Sequence, residues 1–277
     1  MATGLVTLQV QKFKGMATGF ISLVAATELF SAKMPLIAHI LTANTATQIQ
    51  MMQALGGTIP KFGHHSLLTG PLGEALSKRL GTLALRDLRS EGIAPAALIS
   101  LMARLGSSQP VELQTDLAAV AAGFELAHFG SAPTKLDVQD LRPLTARYLQ
   151  TLPLEDVADQ IERLGVPDEL AAQFWQVTRE NISTLHDLPA WWELFSKGAA
   201  PVINPEDKEF VAQAMALLPD GPYDAQSWSS WTADVKAATG RKGKSLFMPL
   251  RLALTGQSHG PDMSAVLPLL QVINAKS

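Results

Sequence analysis

With 277 residues, 47% of them apolar, the chain is long enough for one large domain or two to three small ones, with a substantial buried core. It has no cysteine, which excludes structural disulfides and thiolate metal sites and suits a reducing compartment. A formal charge of −3 excludes a global positive field, so any contact with nucleic acid must come from local basic patches.

The first strand signal is the alternation of Val6, Leu8 and Val10 in GLVTLQVQKF. The apolar run GMATGFISLVAATELF, residues 15–30, follows. Thr18, Thr27 and Glu28 interrupt it, and a membrane span needs about 20 mostly apolar residues. A buried strand or helix is the expectation. A signal peptide is the alternative, since Lys12 and Lys14 precede the run. In NTATQIQMMQALGG, Ala46, Ile49, Met52 and Leu55 recur every three residues after Asn44, a candidate N-cap. HHSLLTG reads as a short strand bounded by turn formers.

From about residue 90 the pattern predicts nearly all helix. APAALISLMARLG has Pro95 in the first turn, an apolar face of Leu98, Leu101, Met102 and Leu105, and Gly106 at the left-handed end. PLEDVADQIERLG shows Leu154, Val157, Ile161 and Leu164 on one face, and PDELAAQFWQVTREN shows Leu170, Phe174 and Val177. SWSSWTADVKAATG, PLRLALTG and SAVLPLLQVIN continue the series. The acidic pairs Glu155–Asp156 and Asp168–Glu169 sit in first turns, where they complement the helix dipole rather than form a catalytic pair. GSSQPVELQTD and STLHDLPA are the candidate boundaries, and no fixed-period repeat is evident.

Several chemical signals are weak. AATGRKGKS, residues 237–245, approaches the phosphate-loop pattern GxxxxGK[ST], but Ala238 replaces its first glycine and a helical pattern precedes it. A basic turn between helices is the better reading, and Arg241, Lys242 and Lys244 there are placed to meet a nucleic-acid backbone. His64–His65 lacks the spacing of a helical metal pair, and His259 stands alone in GQSHGPD, so no metal site is expected. No serine lies in a G-x-S-x-G elbow. The tryptophans, at helical spacing, read as core, with base stacking as the alternative.

GEALSKRLG, residues 73–81, carries the strongest signal. Its ALSKR resembles the Lys-Met-Ser-Lys-Arg signature of class I aminoacyl-tRNA synthetases. The surrounding stretch from NTATQIQ to LMARLGSS resembles bacterial glutamyl-tRNA synthetase along its whole length. GRKGKSLFMPLRLALTGQSHGPDM resembles the same family near its C-terminus, so the likeness runs from about Asn44 to about Leu270. In that family the loop closes over ATP, held with magnesium, and its second lysine stabilises the phosphates as the adenylate forms. The resemblance implies this ATP-binding role for Lys78, with Ser77 and Arg79 beside it. An ammonium next to a guanidinium suits charge developing on leaving pyrophosphate.

The chain also departs from the family. Ala75 stands where the first signature lysine would be. The His-Ile-Gly-His signature is absent, and AHILTANTATQ lacks the Arg-Gly-Glu-Asp-His stretch that the family places before Asn-Thr-Ala-Thr. Residues 1 to about 38 show no match. One lysine loop without its opposing half does not clamp a triphosphate, so aminoacylation by this chain alone is expected to be lost.

The resulting expectation is a mainly α fold. A small α/β remnant of a class I synthetase catalytic domain precedes helical stem-contact and anticodon-binding domains. The divisions fall at 1–43, 44–90, 91–185 and 186–277. The resemblance implies tRNA(Glu) as partner, a cytoplasmic setting and no membrane. Charge places Arg86, Arg89 and Arg104 toward the inner tRNA limb and Arg241, Lys242, Lys244 and Arg251 near the anticodon. The alternatives are an active ligase completed by a separate nucleotide-binding chain, or a non-enzymatic helical interaction module.

Overall fold

Pro95 opens a helix where its missing N–H costs nothing, and the following apolar spacing continues it to Met102. The computed structural model describes residues 85–130 and 132–276 and, before them, 36–38, 46, 49–51, 53–56, 61–63 and 68–73. The alternating stretch 4–13, the run 15–30, the Asn44 cap and His64–His65 lie outside the described residues. The chain divides into two compact units, Met1–Tyr148 and Leu149–Ser277.

In the first unit, strands β1 (Leu36–Ala38) and β2 (Lys61–Gly63) pair in parallel, with Leu36 opposite Lys61. Residues 46, 49–51, 53 and 54, between them, are helical. Strand β3 (Leu68–Thr69) lies in the segment that reads as a strand, and it pairs in parallel with β4 (Thr134–Lys135). The Leu136 N–H extends that ladder to the Thr69 carbonyl at 2.8 Å. Helices α1 (Leu85–Ser90), α2 (Pro95–Met102) and α3 (Leu117–Ala122) pack nearby, and α4 (Leu141–Thr151) carries the chain past the division between the units.

The core here joins Leu88 of α1, Ala97 and Leu101 of α2, Leu136, and Leu141 and Leu144 of α4. Two polar residues are buried with it, and both are satisfied. The Thr145 hydroxyl accepts the Ala94 N–H at 3.2 Å, and the Ser100 hydroxyl exchanges hydrogen bonds with the Gln114 backbone at 2.9 and 3.2 Å. The second contact ties the polar stretch 106–116 to α2, inside the first unit.

Helices and 3-10 turns, joined by loops, are the regular elements among the described residues of the second unit. Its helices are α5 (Ala158–Arg163), α6 (Asp168–Thr178), α7 (Leu188–Lys197), α8 (Lys208–Ala216), α9 (Ser227–Thr239), α10 (Lys244–Thr255) and α11 (Met263–Val266). PLEDVADQIERLG departs from its expected single helix. A 3-10 turn at Leu154–Asp156 ends at Val157, whose φ of −123° is not helical, and α5 starts afresh. The predicted apolar face survives the break, because Val157 and Ile161 are both fully buried.

Aromatic residues build the centre. Phe174 of α6 meets Trp192 and Phe195 of α7 edge-on at 5.7 and 6.0 Å. Trp231 of α9 is buried and donates its indole N–H to the Ala214 carbonyl of α8 at 2.9 Å. Trp175 does the same toward Leu152 at 3.0 Å. These two follow the core reading. The C-terminal segment crosses the end of α7, where Gln271 donates to Phe195 and the Asn274 amide donates to the Lys197 and Ala199 carbonyls. Gly198 has φ 74°, and a Cβ there would stand 2.7 Å from the Val272 carbonyl, so only glycine fits. Hydroxyls recur near helix ends. Thr178, Ser196, Thr239 and Thr255 each donate to the carbonyl four residues back, at 2.7 to 2.8 Å.

All five tryptophans, at 175, 191, 192, 228 and 231, lie in the second unit, so tryptophan emission reports its unfolding alone. Phe174→Ala empties a fully buried ring site and is expected to cost that unit about 3–5 kcal/mol in urea titrations followed by emission. Asp262, the N-cap of α11, accepts from the Ser264 hydroxyl and N–H at 2.6 and 2.7 Å. Those bonds, and then the Arg251 charge, hold its pKa below 3.8. The folded value is the lower one, so the stabilisation is present above 3.8 and is lost as pH falls through the folded value. Asp262→Asn is therefore expected to lower the urea midpoint at neutral pH, with the gap from the parent protein narrowing as pH drops below that point.

Candidate nucleic-acid interface

The basic residues of the two units differ in how far their neighbours consume them. In the first unit, Arg86 and Arg89 are exposed on α1, three positions apart and thus on one helix face, while Leu88 turns inward. Arg104 is occupied. It follows α2, and its guanidinium donates to the Gly123 carbonyl at the end of α3, tying those helices together. Arg142 pairs with Glu91 at 3.7 Å. Ser77, Lys78 and Arg79, the expected phosphate-binding loop, lie outside the described residues.

In the second unit the basic turn between α9 and α10 is preceded by a helix, as its pattern suggested, rather than by the strand a phosphate loop requires. Gly240 closes α9 in the left-handed region. Gly243 opens α10 at φ 58°, a conformation that side chains rarely adopt. The glycines therefore let the chain reverse within four residues while displaying the cations between and beside them.

Arg241 turns inward. Its guanidinium pairs with Asp207 at 2.5 Å, donates to the Ser245 carbonyl at 3.2 Å and lies 4.1 Å from the centre of the Phe210 ring. Asp207 is nearly buried, which makes this pair structural. Sequence reading missed Asp207 because it stands 34 residues upstream with no local signal. Lys242 and Lys244 remain exposed, and neither has an ion-pair partner among the described residues.

Arg251 lies further along α10 and is half-buried. Its Nη2 donates to the Pro261 carbonyl at 2.6 Å. Burial lowers its pKa from the ordinary guanidinium value, and the nearby Asp262 carboxylate works against that shift. A Cβ built at Gly260 would come 3.4 Å from the Arg251 guanidinium and 3.6 Å from the Trp191 ring. Arg251 and Trp191 thus both border a backbone bare of side chain. His259 is exposed beside it and contacts only the Ser258 hydroxyl, at 3.2 Å. Trp191 was legible only as one of several tryptophans, since nothing local links it to residues near 260.

Among the described residues no cluster of histidine and acidic side chains is arranged to hold a metal ion, and no helix is long and apolar enough to cross a membrane. The geometry of the second unit offers hydrogen-bond donors, fixed positive charge and an aromatic face. That combination suits the phosphates and unstacked bases of RNA better than any covalent chemistry.

Comparison with known proteins agrees in kind. The family model of the class I tRNA synthetase catalytic domain (E and Q) matches residues 37–133, and that of the anticodon binding domain matches 140–272. Glutamate–tRNA ligase 1 of Roseobacter denitrificans is 70% identical over 233 residues, covering 84% of this chain and 53% of that protein. Glutamate–tRNA ligase 1 of Ruegeria pomeroyi is 65% identical over the same share of each. The chain spans about half the length of the curated relatives it matches. The crystal structure of a glutamate tRNA ligase from Elizabethkingia meningosepticum, in complex with its amino acid, has the same fold. It superposes with a TM-score of 0.66 at 21% identity, covering 82% of this chain and 52% of that one. The resemblance carried by ALSKR and its flanks is therefore one of descent, and the chain belongs to the bacterial glutamate–tRNA ligase family of class I tRNA synthetases.

Proposed function

We propose that this chain binds tRNA(Glu) through its helical second unit and does not, as these 277 residues alone, ligate glutamate to it. The observation that carries the binding half is the anticodon-binding match over 140–272, in which Lys242 and Lys244 stand exposed and Arg251 and Trp191 both border Gly260. In this reading residues 186–277 form the anticodon-binding domain and 91–185 the stem-contact region, with 44–90 the remnant of the catalytic domain. Arg86 and Arg89 contact the inner limb. Arg104 and Arg241 act through the fold, since both guanidiniums are committed internally.

The catalytic half of the proposal rests on the sequence. The family's reaction uses ATP with magnesium, and its in-line geometry needs groups on both sides of the triphosphate. Ser77, Lys78 and Arg79 supply one side; the His-Ile-Gly-His signature, absent from these residues, would supply the other. A cytoplasmic setting follows from the family. A ligase completed by a separate nucleotide-binding chain is the second reading.

The binding test is electrophoretic retardation of tRNA(Glu) by the full chain over a range of salt. Binding that weakens steeply with salt is expected, and no retardation at low salt sinks the proposal. Lys242→Ala with Lys244→Ala should flatten the log–log salt slope by about 1.4–1.8, since each lost phosphate contact removes roughly 0.7–0.9. Arg241→Ala should instead lower the urea midpoint of the second unit. Pyrophosphate exchange with glutamate, ATP and tRNA is expected at background; robust turnover by the pure chain overturns the catalytic half. Turnover that appears only with a co-purifying nucleotide-binding protein selects the second reading.

A further inference from the structure

One aromatic side chain on the basic turn has no role in the fold described so far. Phe247, on the first turns of α10, leaves 45% of its surface in water. A single exposed aromatic is ordinary. Two features set this one apart. The ring is held in place from behind: it lies 6.3 Å from the Trp228 ring at a tilt of 36°, and Trp228 in turn packs edge-on against buried Trp231 at 5.5 Å. It also stands among unpaired cations. From Lys236 to Arg251 the sequence has five basic residues and no acidic one. Asp207 consumes Arg241, which leaves Lys242 and Lys244 exposed. Lys244 is three positions before Phe247 on the same helix, so the two side chains share a face.

We propose that Phe247, backed by Trp228, is a stacking platform for an unpaired RNA base whose flanking phosphates are taken by Lys242 and Lys244. The assignment rests on the tRNA-binding reading above and adds to it a residue and a mode of contact. A protein partner is disfavoured, because the face offers a lone ring among like charges rather than an apolar patch. An unpaired strand meets both needs. Its base covers the ring, and its backbone neutralises the lysines. The ring is fixed before binding, so little rotamer freedom is lost when a base settles on it.

The experiment uses the full chain and a fluorescent RNA hairpin with an unpaired loop, with anisotropy as readout and tRNA(Glu) as the parallel ligand. Phe247→Ala and Phe247→Leu are expected to weaken hairpin binding about 5- to 100-fold, the range for loss of one base–aromatic stack, without changing the salt slope. Phe247→Trp retains the affinity. An abasic substitution at the stacked loop position weakens the parent protein but adds little to Phe247→Ala, because both remove the same contact. Melting followed by tryptophan emission checks that each variant folds; the leucine variant keeps the apolar bulk at the site. If Phe247→Ala and Phe247→Leu bind the hairpin and tRNA(Glu) as tightly as the parent, the platform is refuted while tRNA binding stands. If the parent binds neither RNA, both proposals fall.

Discussion

Asp207 governs the basic turn by drawing Arg241 out of solvent. The guanidinium is held on one side by the carboxylate and on another by the Phe210 ring, and it also reaches the Ser245 carbonyl at the start of α10. A charge withdrawn from water in this way is stable only while its partner is present. One ion pair thereby fixes the entry to α10, and with it the direction in which Lys242 and Lys244 project. The remaining basic surface of the second unit is arranged around that anchor. Of the cations near the turn, Arg241 serves the fold while Lys242 and Lys244 stay exposed.

Beneath the turn, the helices meet through aromatic edges and indole donors. Trp231 links α9 to α8, and Trp175 reaches the chain before the 3-10 turn at Leu154–Asp156. Each indole N–H finds a backbone carbonyl, so the large apolar surface of tryptophan is buried without leaving a donor unpaired. The first unit works differently. Its core is aliphatic, and the hydroxyls of Ser100 and Thr145, buried with that core, secure loop and helix entry. The two units share a chain and a family but hold together by different chemistry.

Much of this was legible in the sequence wherever the information was local. Pro95 marked the start of one helix, although that helix ends at Met102 rather than running to Gly106, and Val157, Ile161, Phe174 and Val177 were correctly assigned to buried faces. The break at Val157 was not visible, because a 3-10 turn followed by a helix presents nearly the same apolar spacing as one continuous helix. Partners distant in sequence were hidden altogether. Charge alone grouped Arg241 with Lys242 and Lys244, yet the first is spoken for by a residue 34 positions away. Arg104 was likewise counted among exposed cations, and Gly123 claims it. The family signature at Ser77, Lys78 and Arg79 was the clearest motif in the chain, because a short catalytic loop keeps its chemistry in consecutive residues.

The hydroxyls near the helix ends have a consequence of their own. Thr178, Thr239 and Thr255 are the last residues of α6, α9 and α10, and each returns its proton to the preceding turn of the same helix. The receiving carbonyl has a second lone pair and needs no outside help. Each of these hydroxyl protons is thereby satisfied within its own helix. At Thr178 a valine of equal shape would leave no stranded donor behind, whereas at Thr239 and Thr255 it would strand the Arg241 and Gln257 N–H groups, which donate to those hydroxyls at 3.3 and 3.2 Å. The surroundings of Thr178 can therefore change without its hydroxyl needing a new partner.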